Sequence, residues 1–258
     1  MPEKALAVIP ARYGAQRLPG KPLALIAGKP MIQHVYERVR AASSVGPVIV
    51  ATDDRRILEC VESFGGQAMM TEATHRSGTD RVAEVAAQYD SEVIANIQGD
   101  EPLIEPQMID DCIAALLLDE RARIATLACE VLDIREYDDP NVVKVVTNRW
   151  GTALYFSRAP IPYFRDQPKE KDREAMSMIL KHVGVYVFRR EFLFKFATSR
   201  QGVLERIESL EQLRALEYGH KIKVVRTRRP TIAVDTPEDL RKAEIIMTGS
   251  AGGHGQAD

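Results

Sequence analysis

The sequence predicts an α/β fold: a mostly parallel sheet flanked by helices, with a β-hairpin inserted in its second half. Three observations carry this. Short β-rich apolar runs recur, as in "KALAVIP" (4–10), "PVIVATDD" (47–54) and "SEVIANIQGDEP" (91–102). Amphipathic stretches of helical period lie between them. The second half then changes style, with two apolar runs meeting at an Asn-Arg-Trp-Gly turn. Strands alternating with helices define βαβ units, whose right-handed crossovers bring the strand C-termini to one edge. Ligands of such sheets bind at that edge.

Each element follows from its own residues. The run 4–10 is a buried strand, and the loop "ARYGAQRLPGKPL" (11–23) leaves its end. In "KPMIQHVYERVRAA", Met31, Ile32, Val35 and Val39 share one helical face. The next strand is 47–54, and "RRILECVESFG" is a helix stopped at Gly65. "QAMMTEA" is a third strand, "SGTDRVAEVAAQY" a helix, and 91–102 a strand ending in the turn "QGDEP". "PQMIDDCIAALLLDE" is a helix with Pro106 at its start, and "IATLACEV" is a strand. "NVVKVVTNRWGTALYFS" (141–157) is a hairpin, while 163–178 is polar and unpatterned and reads as a loop. "KHVGVYVFRR" (181–190) is a strand. "SLEQLRALEYG" is a helix with Ser209 and Gln212 in capping-box spacing. "IKVVRTRR" is the last strand, and "DTPEDLRKAEIIM" opens the last helix. We expect one domain over 1–248, with an inserted lobe at about 141–190, and a disordered tail over 249–258.

The chain is long enough for a sizeable core: 258 residues, of which 45% are hydrophobic. A formal net charge of −2 gives no global field for nucleic acid or an anionic membrane. The three cysteines, Cys60, Cys112 and Cys129, form neither a CxxC nor an even-numbered framework. The first apolar run is short and leads into a basic loop without a secretory pattern. No run approaches the roughly 20 apolar residues of a membrane span. The expectation is a cytoplasmic protein without nucleic-acid or membrane partners.

The loop 11–23 concentrates Arg12, Arg17 and Lys21 with Gly14 and Gly20, and no acid. Small residues let a backbone approach a phosphate chain, and cations offset charge that grows in a transition state. There is no GxxxxGK[ST] and no GxGxxG, so neither a Walker loop nor a dinucleotide fingerprint is present. The alternative is a solvated surface loop, which its position at a strand end disfavours. The turn that ends the strand 91–102 carries Gln98, Asp100 and Glu101, and an acid there could hold a divalent metal on phosphate oxygens or pair with an arginine. Asp235, ahead of the last helix, fits a cap or a ligand equally. "HRSGTDR" (75–81) offers an anion site at a helix start or simply a helix start. His182 opens a buried strand, where a structural histidine is the commoner outcome. No HExxH or similar spacing supports zinc.

Taken together, "VIPARYGAQRLPGKPL" (8–23), "SGTDRVAEV" (77–85), "NIQGDEPLI" (96–104), "ALYFSRAPIP" (153–162), "KHVGVYVFRR" (181–190), "LEQLRALEYG" (210–219) and "VDTPEDL" (234–240) closely resemble the 3-deoxy-manno-octulosonate (Kdo) cytidylyltransferases, in order and over nearly the whole chain. The resemblance implies an α/β nucleotidyltransferase (Rossmann-like) fold, a homodimer with the lobe at about 141–190 serving dimerisation and the sugar site, and a Mg²⁺ cofactor. It also implies transfer of CMP from CTP to Kdo, with release of pyrophosphate, for lipopolysaccharide synthesis. Carried over by position, it puts Arg12, Arg17 and Lys21 on CTP phosphates or the sugar acid, and Ser77, Thr79 and Arg81 beside the nucleotide. Lys21, Arg17 and Asp100 become the catalytic set, with Asp100 also on the nucleotide. Asp100 and Asp235 become the metal carboxylates. Gln98, Arg158, His182, Tyr186, Glu211 and Gln212, with Arg17, line the sugar site. Two positions depart from the pattern: Ala15 where the family often has serine, and Ala233 where it usually has glycine. The rival readings are a cytidylyltransferase for a sialic acid and a non-catalytic nucleotide-sugar binder on the same fold.

Overall fold

A computed structural model describes residues 4–14, 18–131, 133–165, 173–229 and 231–249. Arg17, Ala15 and the expected tail from 250 onward lie outside the described residues. In chain order the strands are β1 (Ala5–Ala11), β2 (Leu25–Ile26), β3 (Lys29–Pro30), β4 (Val45–Thr52), β5 (Ala68–Met70), β6 (Val93–Ile97), β7 (Ala122–Glu130), β8 (Lys144–Thr147), β9 (Ala153–Ser157), β10 (Leu180–Arg189) and β11 (Lys221–Thr227). The helices are α1 (Met31–Arg40), α2 (Arg55–Ser63), α3 (Gly78–Ala86), α4 (Pro106–Leu118), α5 (Arg135–Asp138), α6 (Arg173–Met178), α7 (Arg190–Thr198), α8 (Val203–Glu208), α9 (Leu213–Glu217) and α10 (Pro237–Thr248).

The main sheet runs β11-β7-β10-β6-β1-β4-β5, with the β8–β9 hairpin attached to β10. Along that path β10 alone is antiparallel to its neighbours. The mostly parallel sheet expected from the sequence is therefore present. So is the hairpin, which pairs with β10 through Leu180↔Val145 and Lys181↔Lys144.

Both faces of the sheet are covered, as a parallel sheet requires. Ala5, Ala7, Ile9 and Ala11 of β1 face one cluster with Ile32, Val35 and Val39 of α1 and Met108 and Ile109 of α4. Leu6 and Val8 face the other, with Val82 and Val85 of α3 and Phe192, Leu193 and Phe196 of α7. Burying each such side chain contributes roughly 1.5–3 kcal/mol. These runs lack alternation because both faces are dry.

The fully buried Lys144 fixes the base of the hairpin. Its ammonium donates to the carbonyls of Asp139 (2.8 Å), Val142 (2.6 Å) and Arg158 (2.8 Å), which satisfies all three N–H groups.

Two local expectations are corrected, and one open alternative is decided. Part of the stretch read as a polar loop, 163–178, forms α6. Ser209 does not cap α9. Residues 203–208 form a helix of their own, and Ser209 ends it at φ 52°. A left-handed residue cannot be the extended N-cap of the next helix. The start of α9 is set instead by the buried pair Arg214–Glu205, whose two hydrogen bonds of 2.6 and 2.8 Å tie α8 to α9. Of the two readings of Asp235, the cap of α10 is not the one the structure shows. Thr236 is the cap: its hydroxyl accepts from the Asp239 N–H at 3.2 Å, and the Asp239 carboxylate accepts from the Thr236 N–H at 3.0 Å. Thr236→Ala should therefore cost about 1 kcal/mol of stability, read as a lower urea midpoint with an unchanged slope. An unchanged midpoint would show that this box contributes nothing.

Candidate active site

β1, β4 and β6 end at one edge of the sheet, and their exit loops meet there. Close packing makes the meeting possible. A Cβ on Gly99 would stand 3.2 Å from the Pro10 carbonyl oxygen, and one on Gly78 3.3 Å from the Pro10 ring. The end of β1, the turn after β6 and the start of α3 are thus in mutual contact. A cavity of about 340 Å³ opens here among Arg12, Gly14, Lys21, Gln98, Gly99 and Asp100. Gly20, at φ +68°, turns the loop so that Lys21 faces this edge, a conformation for which glycine carries no steric cost.

Lys21 joins the two acids singled out in the sequence. Its Nζ donates to Asp100 Oδ2 at 2.6 Å and to Asp235 Oδ1 at 2.9 Å. Lys21 thus meets one acid 79 positions and another 214 positions along the chain, and both converge on its one cation. Burial works against the Lys21 charge, but the charges and hydrogen bonds of Asp100 and Asp235 outweigh it and raise the ammonium pKa above its ordinary value. The Val234 N–H also donates to the Asp100 carbonyl at 2.8 Å. Asp100 forms a wall common to the basic cavity and to a second cavity of about 610 Å³, which reaches Lys181, His182, Thr231 and Asp235.

Glu101 is 3% exposed, and burial pushes its carboxyl up to about 7, against the hydrogen bond from Thr231.

On the α3 face of β6 and β10 lies a polar cluster. Gln98 Nε2 donates to Asn96 Oδ1 at 3.2 Å, and Asn96 Nδ2 donates to Thr79 Oγ1 at 3.2 Å. The Thr79 hydroxyl donates to Glu211. Burial raises the Glu211 pKa, opposed by the hydrogen bonds from Thr79 and Ser77. Tyr186 pairs with Asn96 across the strands, and its ring lies 5.1 Å from that of His182. Burial lifts the Tyr186 phenol above its usual range.

Thr126 gives its hydroxyl proton to the Val185 carbonyl at 2.6 Å, so His182 donates to Thr126 through Nε2 at 2.8 Å. That assignment leaves Nδ1 as an acceptor. Burial drops the His182 pKa to about 3, which makes the ring neutral at physiological pH. Gln212 is 4% exposed, and its Nε2 has no hydrogen-bond partner among the described residues.

Ser77, Arg81 and Arg158 are held by the protein itself. Ser77 caps α3 in a reciprocal box with Asp80. Arg81, 1% exposed, donates to Asp53 at 2.9 Å and to Thr71. Arg158 donates to the carbonyls of Glu208 (2.8 Å), Pro140 (2.9 Å) and Ser209 (3.4 Å), so it fixes the turn leading to Glu211. Arg12 is exposed at the cavity wall, and Arg17 lies outside the described residues. Sequence reasoning passed over Asn96, Thr126 and Thr231. Asn96 carried a readable signal, a polar residue inside the otherwise apolar strand "VIANI".

A basic loop beside converging carboxylates, at the edge of a nearly parallel sheet, places the chain among the α/β nucleotidyltransferases. The chain matches the Cytidylyltransferase family over residues 6–222. It is 55% identical over 243 residues to the 3-deoxy-manno-octulosonate cytidylyltransferase of Geobacter metallireducens, covering 93% of this chain and 96% of that protein. It is 53% identical over 245 residues to the enzyme of that name from Syntrophotalea carbinolica, covering 94% and 98%. The solved structure of a CMP:2-keto-3-deoxy-manno-octonic acid synthetase complexed with CTP matches with a TM-score of 0.87 at 44% identity, covering 96% of this chain and 99% of that one. The chain belongs to the 3-deoxy-manno-octulosonate cytidylyltransferase family, as the sequence motifs implied.

Proposed function

We propose that the protein transfers CMP from CTP to the anomeric hydroxyl of Kdo, with release of pyrophosphate, for lipopolysaccharide synthesis. The observation that carries this reading is the convergence of Lys21, Asp100 and Asp235 between a basic cavity and a second, polar site. In the proposed reaction the sugar hydroxyl oxygen bonds to the α-phosphorus as the bond to pyrophosphate breaks, and the hydroxyl proton is released to solvent. Such transfers need positioning and charge stabilisation rather than a covalent enzyme nucleophile. Arg12, Arg17 and Lys21 hold the triphosphate, and Asp100 lies beside the reacting phosphate.

The donor set suits Mg²⁺, which takes few protein carboxylates together with waters and substrate phosphates. Asp100 and Asp235, which already share one cation, would hold it. When bound, it supplies positive charge on the phosphate oxygens. Gln98, His182, Tyr186, Glu211 and Gln212 present acceptors and donors to a hydroxylated acid sugar, and a sugar oxygen would give the buried Gln212 amide a partner. Thr79 and Ser77 serve this reading by orienting Glu211, Arg81 by holding the end of β4, and Arg158 by fixing the turn at 208–209.

No helix among the described residues is long and apolar enough to cross a membrane. We place the enzyme in the cytoplasm, where CTP is made. As a homodimer, it would cover exposed Leu154 on β9 and Ile207 on the neighbouring α8.

Incubation with Mg²⁺, CTP and Kdo should release pyrophosphate, whereas a sialic acid or another nucleoside triphosphate should give little. Absence of release with Kdo overturns the reading. Glu211→Ala should raise the KM for Kdo about tenfold or more, the cost of leaving buried polar partners unpaired, with a much smaller change for CTP. Equal changes for both substrates would make Glu211 structural.

A further inference from the structure

Asp235 sits on an irregular segment, residues 231–235, which belongs to neither a helix nor a strand. No backbone ladder holds it, yet its acid meets Asp100 on a single cation to within hydrogen-bond distance. We propose that Glu101 is a positioning residue that sets the spacing of the Asp100 and Asp235 carboxylates through Thr231. The proposal rests on the reading of those two acids as Mg²⁺ ligands.

Three contacts support it. Glu101 Oε2 accepts from the Thr231 hydroxyl at 2.5 Å, at the start of the irregular segment. Glu101 Oε1 accepts from the Gly184 N–H of β10 at 3.2 Å. At the other end of the segment, the Val234 N–H donates to the carbonyl of Asp100, the residue next to Glu101. The stretch carrying Asp235 is therefore tied at both ends to the stretch carrying Asp100, and both are anchored to the sheet. The anchor is doubled, because the Gln98 N–H donates to the Gly184 carbonyl at 3.1 Å. Gly184 leaves room for it: a Cβ there would stand 3.0 Å from Gln98 Cγ and 3.4 Å from Glu101 Oε1.

The chemistry of the buried group agrees. Glu101 and Thr231 are 3% and 5% exposed, and Glu101 forms no ion pair among the described residues. Burying an acid is unfavourable unless its oxygens are hydrogen-bonded. An apolar side chain would fill the space with less desolvation, but it would strand the Thr231 hydroxyl and the Gly184 N–H. Two acceptor oxygens on one short side chain satisfy both donors and link the segments they belong to. Residues that orient metal ligands matter nearly as much as the ligands themselves.

The test uses the full-length enzyme with CTP and without sugar, so that no turnover occurs. Mn²⁺ binding, followed by its electron paramagnetic resonance signal, reports the site. Thr231→Val and Glu101→Ala should each weaken Mn²⁺ binding about tenfold or more, while CTP binding in chelator stays near wild type. Glu101→Gln should restore most of the affinity, since its amide oxygen can accept from Gly184 and its NH₂ can donate to the Thr231 oxygen. Thr231→Val decides the matter if Glu101→Ala fails to fold, because it removes one hydroxyl and keeps the volume. Asp100→Asn serves as the reference. If Asp100→Asn weakens Mn²⁺ binding and Thr231→Val does not, the positioning role is wrong and the metal reading stands. If Asp100→Asn leaves Mn²⁺ binding unchanged, the metal reading fails and the positioning role falls with it. A folded Glu101→Gln variant as weak as Glu101→Ala would show that charge rather than hydrogen-bond geometry matters, and would also overturn the proposal.

Discussion

Lys21→Ala is expected to lower kcat by about 10²–10³, the typical cost of removing one preorganised donor from the place where transition-state charge develops. The Lys21 ammonium lines the basic cavity and holds a raised pKa, so it is fully charged across the physiological range. It also bridges Asp100, on the wall of that cavity, to Asp235. A triphosphate entering the cavity brings negative charge to a place already bordered by Asp100, and without Lys21 the cation that offsets this carboxylate is gone. The fold should be nearly indifferent to the change. The partners of Lys21 are themselves a quarter and a half exposed, and ion pairs open to water contribute about 0–1 kcal/mol. The measurement is kcat at saturating CTP and Kdo, alongside thermal unfolding. Near-native turnover in a folded Lys21→Ala enzyme would remove the lysine from the mechanism.

What the sequence made legible is what local chemistry determines. Strand ends announce themselves by a switch from apolar residues to Gly, Asp and Arg, so Lys21 and Asp100 could be placed at the working edge before any coordinates. Met31, Ile32, Val35 and Val39 of α1 are all buried, because helical period is a local property. What could not be read depends on partners distant in the chain. Arg81 looks like a free cation at a helix start, but Asp53 and Thr71, 28 and 10 residues away, bury it. Ser209 and Gln212 have capping spacing, but α8 arrives first and takes Ser209 as its own end. Glu101 reads as one more acid in a turn until Thr231, 130 residues later, comes to rest on it. Asp235 posed the narrowest problem. Asp and Thr are both preferred caps and adjacent in the chain, so one residue of register separated a helix cap from a candidate metal ligand, and only the fold decides it.

That one-residue register sharpens the expected behaviour of Asp235→Asn. Were Asp235 the cap of α10, an asparagine there would cap as well as an aspartate, and an alanine would destabilise the helix by about 1 kcal/mol. Because Thr236 caps the helix through its own hydroxyl, both Asp235→Asn and Asp235→Ala should unfold close to the wild-type temperature. Activity should part company with stability. Asn keeps a carbonyl that can accept from Lys21 but lacks the anionic oxygen that a hard divalent ion selects. Loss of a direct ligand should raise the Mg²⁺ needed for half-maximal rate by at least the 10–100-fold seen for residues that merely orient ligands. Asp100→Asn should do the same, since the two carboxylates share one cation at 2.6 and 2.9 Å. Titrating Mg²⁺ against initial rate at fixed CTP, with unfolding curves for each variant, separates the possibilities. If Asp235→Asn retains the wild-type rate and the wild-type Mg²⁺ requirement, the acid serves only as the counter-ion of Lys21, and a two-carboxylate metal site is the wrong description of this edge.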